Sequence, residues 1–192
     1  MADLAEARLT IPEAAFLSGL TVRDINREID ARIIRVDLRS ERKLRGVDLF
    51  YLCAIKEVRR QVDPALRKSM RNAIVEAVGA HRPEAKVHHF VFRIESIRDD
   101  LLGPFEALER SKHDHIERRM DVLGGEPVIR GTRIAARHIA DLIKHGTTHA
   151  DLRDDLDLTD AQIDAAVVFD RTVPKRGRPP LRKDRTVHVP AV

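Results

Sequence analysis

The side chains best equipped for chemistry in this chain are guanidinium, ammonium and amide groups. Arg23, Asn26 and Arg27 stand close together near the start. Arginine can donate two parallel hydrogen bonds to guanine and asparagine can pair both ways with adenine, so this trio predicts contact with base edges. Arg42, Lys43 and Arg45 offer charge without that discrimination, and predict phosphate contact. Lys175, Arg176 and Arg178 form a third basic set near the end. Catalytic or metal chemistry finds less support. His113-Asp114-His115 with Glu117 would place three possible ligands on one side if extended, and His88 and His89 lie on a separate strand. With no His-Glu-x-x-His order and no cysteine pair, these read as surface groups; no metal and no cofactor is expected. Cys53 is the single cysteine and sits among Leu49, Phe50, Leu52 and Ile55, which predicts a buried, inert thiol. No serine or cysteine stands in a nucleophile-elbow context and the Asp151 to Asp164 run reads as a solvated face, so no catalysis is expected.

Charge is distributed unevenly over the 192 residues. Residues 1–80 carry a balance of +3, residues 81–171 of −4 and residues 172–192 of +5. A basic front and a very basic tail around an acidic middle fit a protein that meets a polyanion at its ends, or equally one with a solubilising tail. No apolar run approaches membrane-spanning length and residues 1–8 lack signal-peptide order, so the expected location is the cytoplasm.

The elements that must position the first basic set follow from caps and periodicity. Thr10 with Glu13 forms a capping box, Pro12 suits a first turn, and Gly19 stops the helix. Thr21 with Asp24 opens a second helix over about 22–31. Ala15, Gly19 and Ile25 supply a small crossing residue, a left-handed turn and an apolar plug, the spacing of a helix-turn-helix. Residues 33–38 and 43–46, around a polar turn, read as a basic hairpin, and 47–60 as a further helix. This order resembles the winged regulators of the MerR type. A helix from Pro64 to about Gly79 follows, then a strand pattern over 87–94, a break at Gly103-Pro104 with a short helix through Leu108, and a strand candidate containing Ile116, Met120 and Val122.

Beyond residue 122 comes Gly124-Gly125-Glu126-Pro127-Val128-Ile129-Arg130-Gly131-Thr132-Arg133-Ile134, and then three capped helical segments. Gly124, Gly125 and Gly131 read as tight turns of a hairpin; the order of a phosphate-binding loop is missing. This string, a helix stopped at Gly146, Leu158-Thr159 and Ala165-Ala166 together resemble a small bacterial antitoxin family, formerly catalogued as a domain of unknown function and now grouped with VapB-type antitoxins. The resemblance covers about residues 116–171 and implies a three-helix domain encoded beside a PIN-like nuclease toxin. The Arg-Gly-Arg-Pro core of the tail resembles an AT-hook. Its arginines suit a DNA minor groove, or insertion into the carboxylate cluster of a toxin active site, or plain disorder.

The expected fold class is therefore mainly α with short β hairpins. It divides into a winged helix-turn-helix over 1–80, a strand and helix connector over 81–115, a trihelical helix-turn-helix-like domain over 116–172 and a basic tail over 173–192. The function implied is a non-enzymatic, homodimeric antitoxin that binds operator DNA and neutralises a PIN-like nuclease toxin. The rivals are a stand-alone transcription regulator and a nuclease accessory or metal-dependent hydrolase.

Overall fold

Thr10 closes the first strand, β1 (Arg8–Thr10), and caps the first helix, α1 (Ile11–Ser18), through the full capping box with Glu13. The computed structural model describes residues 4–36 and 43–173. Gly19, at φ 69° and ψ 12°, ends α1 by donating its N–H to the Ala15 carbonyl at 3.0 Å. Thr21 then caps α2 (Val22–Asp30). The chain continues through β2 (Lys43–Arg45), α3 (Gly46–Ile55), α4 (Pro64–Gly79), β3 (Glu84–Val87), β4 (Phe90–Arg93) and α5 (Ile94–Arg110). A single π-turn, Ser111–His115, leads into β5 (Ile116–Arg118), β6 (Pro127–Ile129), α6 (Ala136–Lys144), α7 (His149–Leu156) and α8 (Asp160–Thr172). The chain is mainly α with short antiparallel strand pairs, as its periodicities imply.

Several local expectations are corrected. The strand Lys43–Arg45 forms, but it pairs with β1, in the register Arg8 to Arg45, Leu9 to Leu44 and Thr10 to Lys43. Residues 33–36 form no strand, since the N–H groups of Ile33 and Ile34 bond back to the Glu28 carbonyl at the end of α2, at 3.0 and 3.2 Å; Asp37 and Leu38 of the expected strand lie outside the described residues. The helix expected to reach Arg60 stops at Ile55 and gives way to turns. The alternating stretch 87–94 is a hairpin whose turn is His88-His89, with Val87 paired to Phe90 and Glu84 to Arg93. Gly103 and Pro104 lie inside α5; both are exposed, while Leu101, Phe105 and Leu108 form a buried stripe that carries the helix through the missing donor. Cys53 is half-buried, with its thiol pushed up to about 12 chiefly by burial.

Two apolar cores organise these elements. The first runs from Leu4 to Leu108 and includes Ile25, Leu44, Phe50, Tyr51, Met70, Ile74, Phe92 and Phe105. The second contains Ile116, Ile129, Ile139, Leu152, Ile163 and Ala166. Helix α8 serves both, since Ile163, Ala165 and Ala166 belong to the second core while Val168 packs on the first. It also packs directly against α1. Among the described residues no helix is long and apolar enough to cross a membrane.

Candidate nucleic-acid interface

The pair α1 and α2 is joined by Gly19, Leu20 and Thr21, and Ile25 at the crossing is fully buried. On the exposed side of α2 stand Arg23 and Arg27, with Asn26 half-buried between them. Arg27 rests 3.5 Å from Asp24 and remains about half exposed (53%), while Asp24 keeps Arg59 at 2.5 Å as a closer partner, so Arg27 can turn away without stranding that carboxylate.

The inner side of α2 carries a feature that local spacing does not show. Glu28 is fully buried, yet it accepts the Tyr51 hydroxyl at 2.8 Å and Arg67 Nη1 at 2.6 Å, with Arg59 Nη1 at 3.8 Å. One turn earlier Asp24 receives Arg59 Nη2 at 2.5 Å. The Thr21 hydroxyl, and after it the Arg59 guanidinium, hold the Asp24 carboxyl below the usual carboxylate range against the opposing effect of burial. Glu28 and Asp24 thus tie α2 to α3, to the turn after it and to α4. A buried carboxylate tolerates such a place only when charged hydrogen bonds replace its water, which gives the network directional hold on the rotation of α2.

The wing residues belong to a different construction. Lys43 and Arg45 line an open cleft of about 560 Å³ together with Arg8, Arg32, Ile33, Arg35, Val36, Lys68, Arg71 and Asn72. Arg23, Asn26 and Arg27 are not among its lining residues. Directly opposed residues of an antiparallel pair share a face, so Arg8 and Arg45 project together, with Lys43 and Thr10 beside them, while Leu9 and Leu44 enter the core. Fully buried Asp48 orients two of the cations: it takes Arg71 Nε at 2.8 Å and Nη2 at 2.6 Å, and Arg45 Nε lies 3.7 Å from its other oxygen. Arg8, Arg32, Arg35, Lys68 and Arg71 escaped the sequence reading because they come from separate segments. Arg42 and the tail residues Lys175, Arg176 and Arg178 lie outside the described residues.

The glycine-rich string proves to be a scaffold. Gly124 and Gly125 take positive φ (64° and 82°) in the connection between β5 and β6, which pair antiparallel, and Gly131 (79°) turns the chain after β6. Arg130 donates from Nε to the Asp114 carbonyl at 2.8 Å and from Nη2 to the His113 carbonyl at 2.6 Å, tying the string to the π-turn. Thr132 Oγ1 donates to the Ile129 carbonyl and accepts the Ile134 N–H. His113 Nε2 lies 3.7 Å from Glu109 Oε2, but among the described residues no group of three or more histidine, cysteine or acidic side chains could hold a metal.

Comparison with known proteins adds one family and one structure. No curated protein matches the chain. The X-ray crystal structure of Rv2018 from Mycobacterium tuberculosis is similar at 16% identity over 84% of this chain and 100% of that one, with a TM-score of 0.32. Residues 116–169, the stretch built on the glycine-rich string and the three helices that follow it, match a family described as "Protein of unknown function (DUF433)".

Proposed function

We propose that this chain is a non-enzymatic, homodimeric regulator that binds operator DNA through α2, and that it serves in the cytoplasm as the antitoxin of a PIN-like nuclease toxin. One observation carries the DNA-binding part: the inner side of α2 is fixed by the buried Glu28 and Asp24 network, while its outer side offers Arg23, Asn26 and Arg27. A helix held in rotation with two arginines and an amide outward is suited to reading base edges in a major groove. The antitoxin part is supported by the resemblance of the string from Gly124 to Ile134 to VapB-type antitoxins, with the matched region or the basic tail as the toxin-holding part.

The test is a footprint on the DNA upstream of the protein's own reading frame, followed by affinity for that site. Arg27→Ala then weakens the cognate site by about 1–3 kcal/mol and relaxes preference at one base position. Cognate affinity unchanged in the combined Arg23→Ala, Asn26→Ala, Arg27→Ala variant refutes α2 as the reading helix. Co-expression with the adjacent frame tests the other part: rescue of growth from a PIN-like nuclease supports an antitoxin, and no such neighbour leaves a stand-alone regulator.

A further inference from the structure

We infer that the cleft between β1, β2, residues 32–36 and α4 binds the sugar-phosphate backbone of duplex DNA, independently of base sequence. This rests on the DNA-binding reading above but uses different residues and a different chemistry. Among the described residues, seven of the ten that line it are Arg or Lys and none is acidic. Arg8, Arg32, Arg35 and Lys68 have no ion-pair partner among the described residues. Among the described lining residues the apolar ones are Ile33, which is 3% exposed, and Val36, so they give an apolar anchor almost nothing to hold. An extended polyanion without apolar content is the partner such a surface fits, and arginine forks match phosphate oxygens two at a time.

Two features of the cleft work against the stability of the empty fold. Arg8 and Arg45 face each other across the strand pair, where like charges repel. Arg32 adopts φ 55° just beyond the end of α2. There the Ile33 N–H reaches the Glu28 carbonyl at 3.0 Å and the Arg32 N–H the Ile29 carbonyl at 2.9 Å, the bond pair of a Schellman helix end, whose left-handed residue is ordinarily glycine. Asp157 takes the same conformation at the end of α7, but aspartate tolerates it and arginine does not gain from it. An anion in the cleft compensates both: it bridges the opposed arginines and uses the side chain that glycine would lack. Lys68, Arg71 and Asn72, spaced three and four apart, put a continuous edge of donors from α4 along the same cleft.

The experiment uses the full chain and a duplex of unrelated sequence, with affinity measured by fluorescence anisotropy across a salt series. The variants are Arg32→Gly, Lys68→Ala, their combination, and the α2 triple alanine variant. Each cleft substitution is expected to reduce the slope of log affinity against log salt by about 0.9 and to weaken all duplexes alike. Arg32→Gly is expected to do so while Tm holds or rises by about 2–4 °C, because glycine relieves the left-handed backbone. The double variant binding with an unaltered slope overturns the inference. So does lost tripolyphosphate binding with duplex affinity intact, which marks a small-ligand site, or the loss of a salt-sensitive self-association alone, which marks a protein contact. An α2 triple variant that keeps its sequence preference refutes the base-reading helix and leaves the cleft standing if the slopes fall; a parent chain that binds no duplex refutes both.

Discussion

Truncating Glu28 to alanine tests the idea that a buried charge network holds α2. The carboxylate is fully buried and receives Arg67 Nη1 at 2.6 Å and the Tyr51 hydroxyl at 2.8 Å. Arg59 keeps its bond to Asp24 when Glu28 is lost, but among the described residues Arg67 has no other ion pair, and its side chain is only 13% exposed. Removing one partner of a buried pair leaves the other desolvated and uncompensated, a cost of about 3–5 kcal/mol. Tyr51→Phe removes one hydrogen bond to a charged acceptor, about 1.5–3 kcal/mol. Since both substitutions break the same bond, the double variant is less destabilised than their sum, by about 0.5–3 kcal/mol.

Urea unfolding followed by far-ultraviolet circular dichroism measures all three. A native stability of about 5–15 kcal/mol makes the Glu28→Ala loss plain in the midpoint. Glu28→Ala within about 1 kcal/mol of the parent, or strict additivity with Tyr51→Phe, refutes the network as the fixture of α2. A pair of apolar replacements, Glu28→Leu with Arg67→Met, separates hold from stability. It recovers much of the loss because neither charge is then stranded, yet it leaves α2 with only the bond from Asp24 to Arg59 to direct it.

Two further predictions follow from the same region. Tyr51 is the only tyrosine and there is no tryptophan, so tyrosinate absorbance reports it alone. Burial, then the Glu28 charge and hydrogen bond, push its hydroxyl far above the ordinary value. The unfolded phenol ionises near about pH 10, so this contribution is complete below that pH and is lost as pH rises beyond it, at about 1.4 kcal/mol per unit. Tyrosinate is therefore expected to form together with alkaline unfolding, and a reversible titration near pH 10 with helix content intact contradicts it. At Gly46 an added Cβ would lie 1.7 Å from the Leu4 carbonyl oxygen. Gly46 and Val47 also donate to the Ala7 and Ala5 carbonyls at 2.8 and 3.1 Å, satisfying two free donors at the start of α3. Gly46→Ala is expected to displace residues 4–7 and cost more than about 2 kcal/mol; a thermal melt matching the parent refutes this.

What could be read from the sequence was local. Thr10 with Glu13 and Thr159 with Gln162 form the capping boxes their spacing implies, Thr21 caps α2, and α4 runs from Pro64 to Gly79. Where tertiary packing decides, local reading failed. The alternation over 87–94 survives a two-residue turn because both arms of the hairpin keep period two, so one long strand and two short ones look alike. Pro104 signals a break, but the buried stripe of Leu101, Phe105 and Leu108 outweighs one missing backbone bond. Spacing alone pairs Lys43 to Arg45 with the nearest strand pattern, whereas Leu44 finds Leu9 across the whole helical pair. Nothing near Glu28 in the sequence announces Tyr51, Arg59 and Arg67 as its partners.

The two cores meet at a seam that joins the matched region to the first helix of the α1 and α2 pair. Lys112, in the π-turn, places its ammonium 2.8 Å from Glu13 Oε1 and 2.9 Å from Glu109. Burial opposes that charge, but the hydrogen bonds to the two carboxylates prevail and hold the lysine above its ordinary range. The other Glu13 oxygen accepts the Thr10 N–H at 2.8 Å, so one carboxylate both starts α1 and fastens the seam. Arg130 anchors the same turn from the string side, and α8 lies against α1. A displacement of α8 or of the π-turn therefore meets α1 through packed side chains and charged hydrogen bonds, and α1 crosses α2 at the buried Ile25. The helix that carries Glu13 therefore packs on both cores, and its starting carboxylate is bonded to the turn between them.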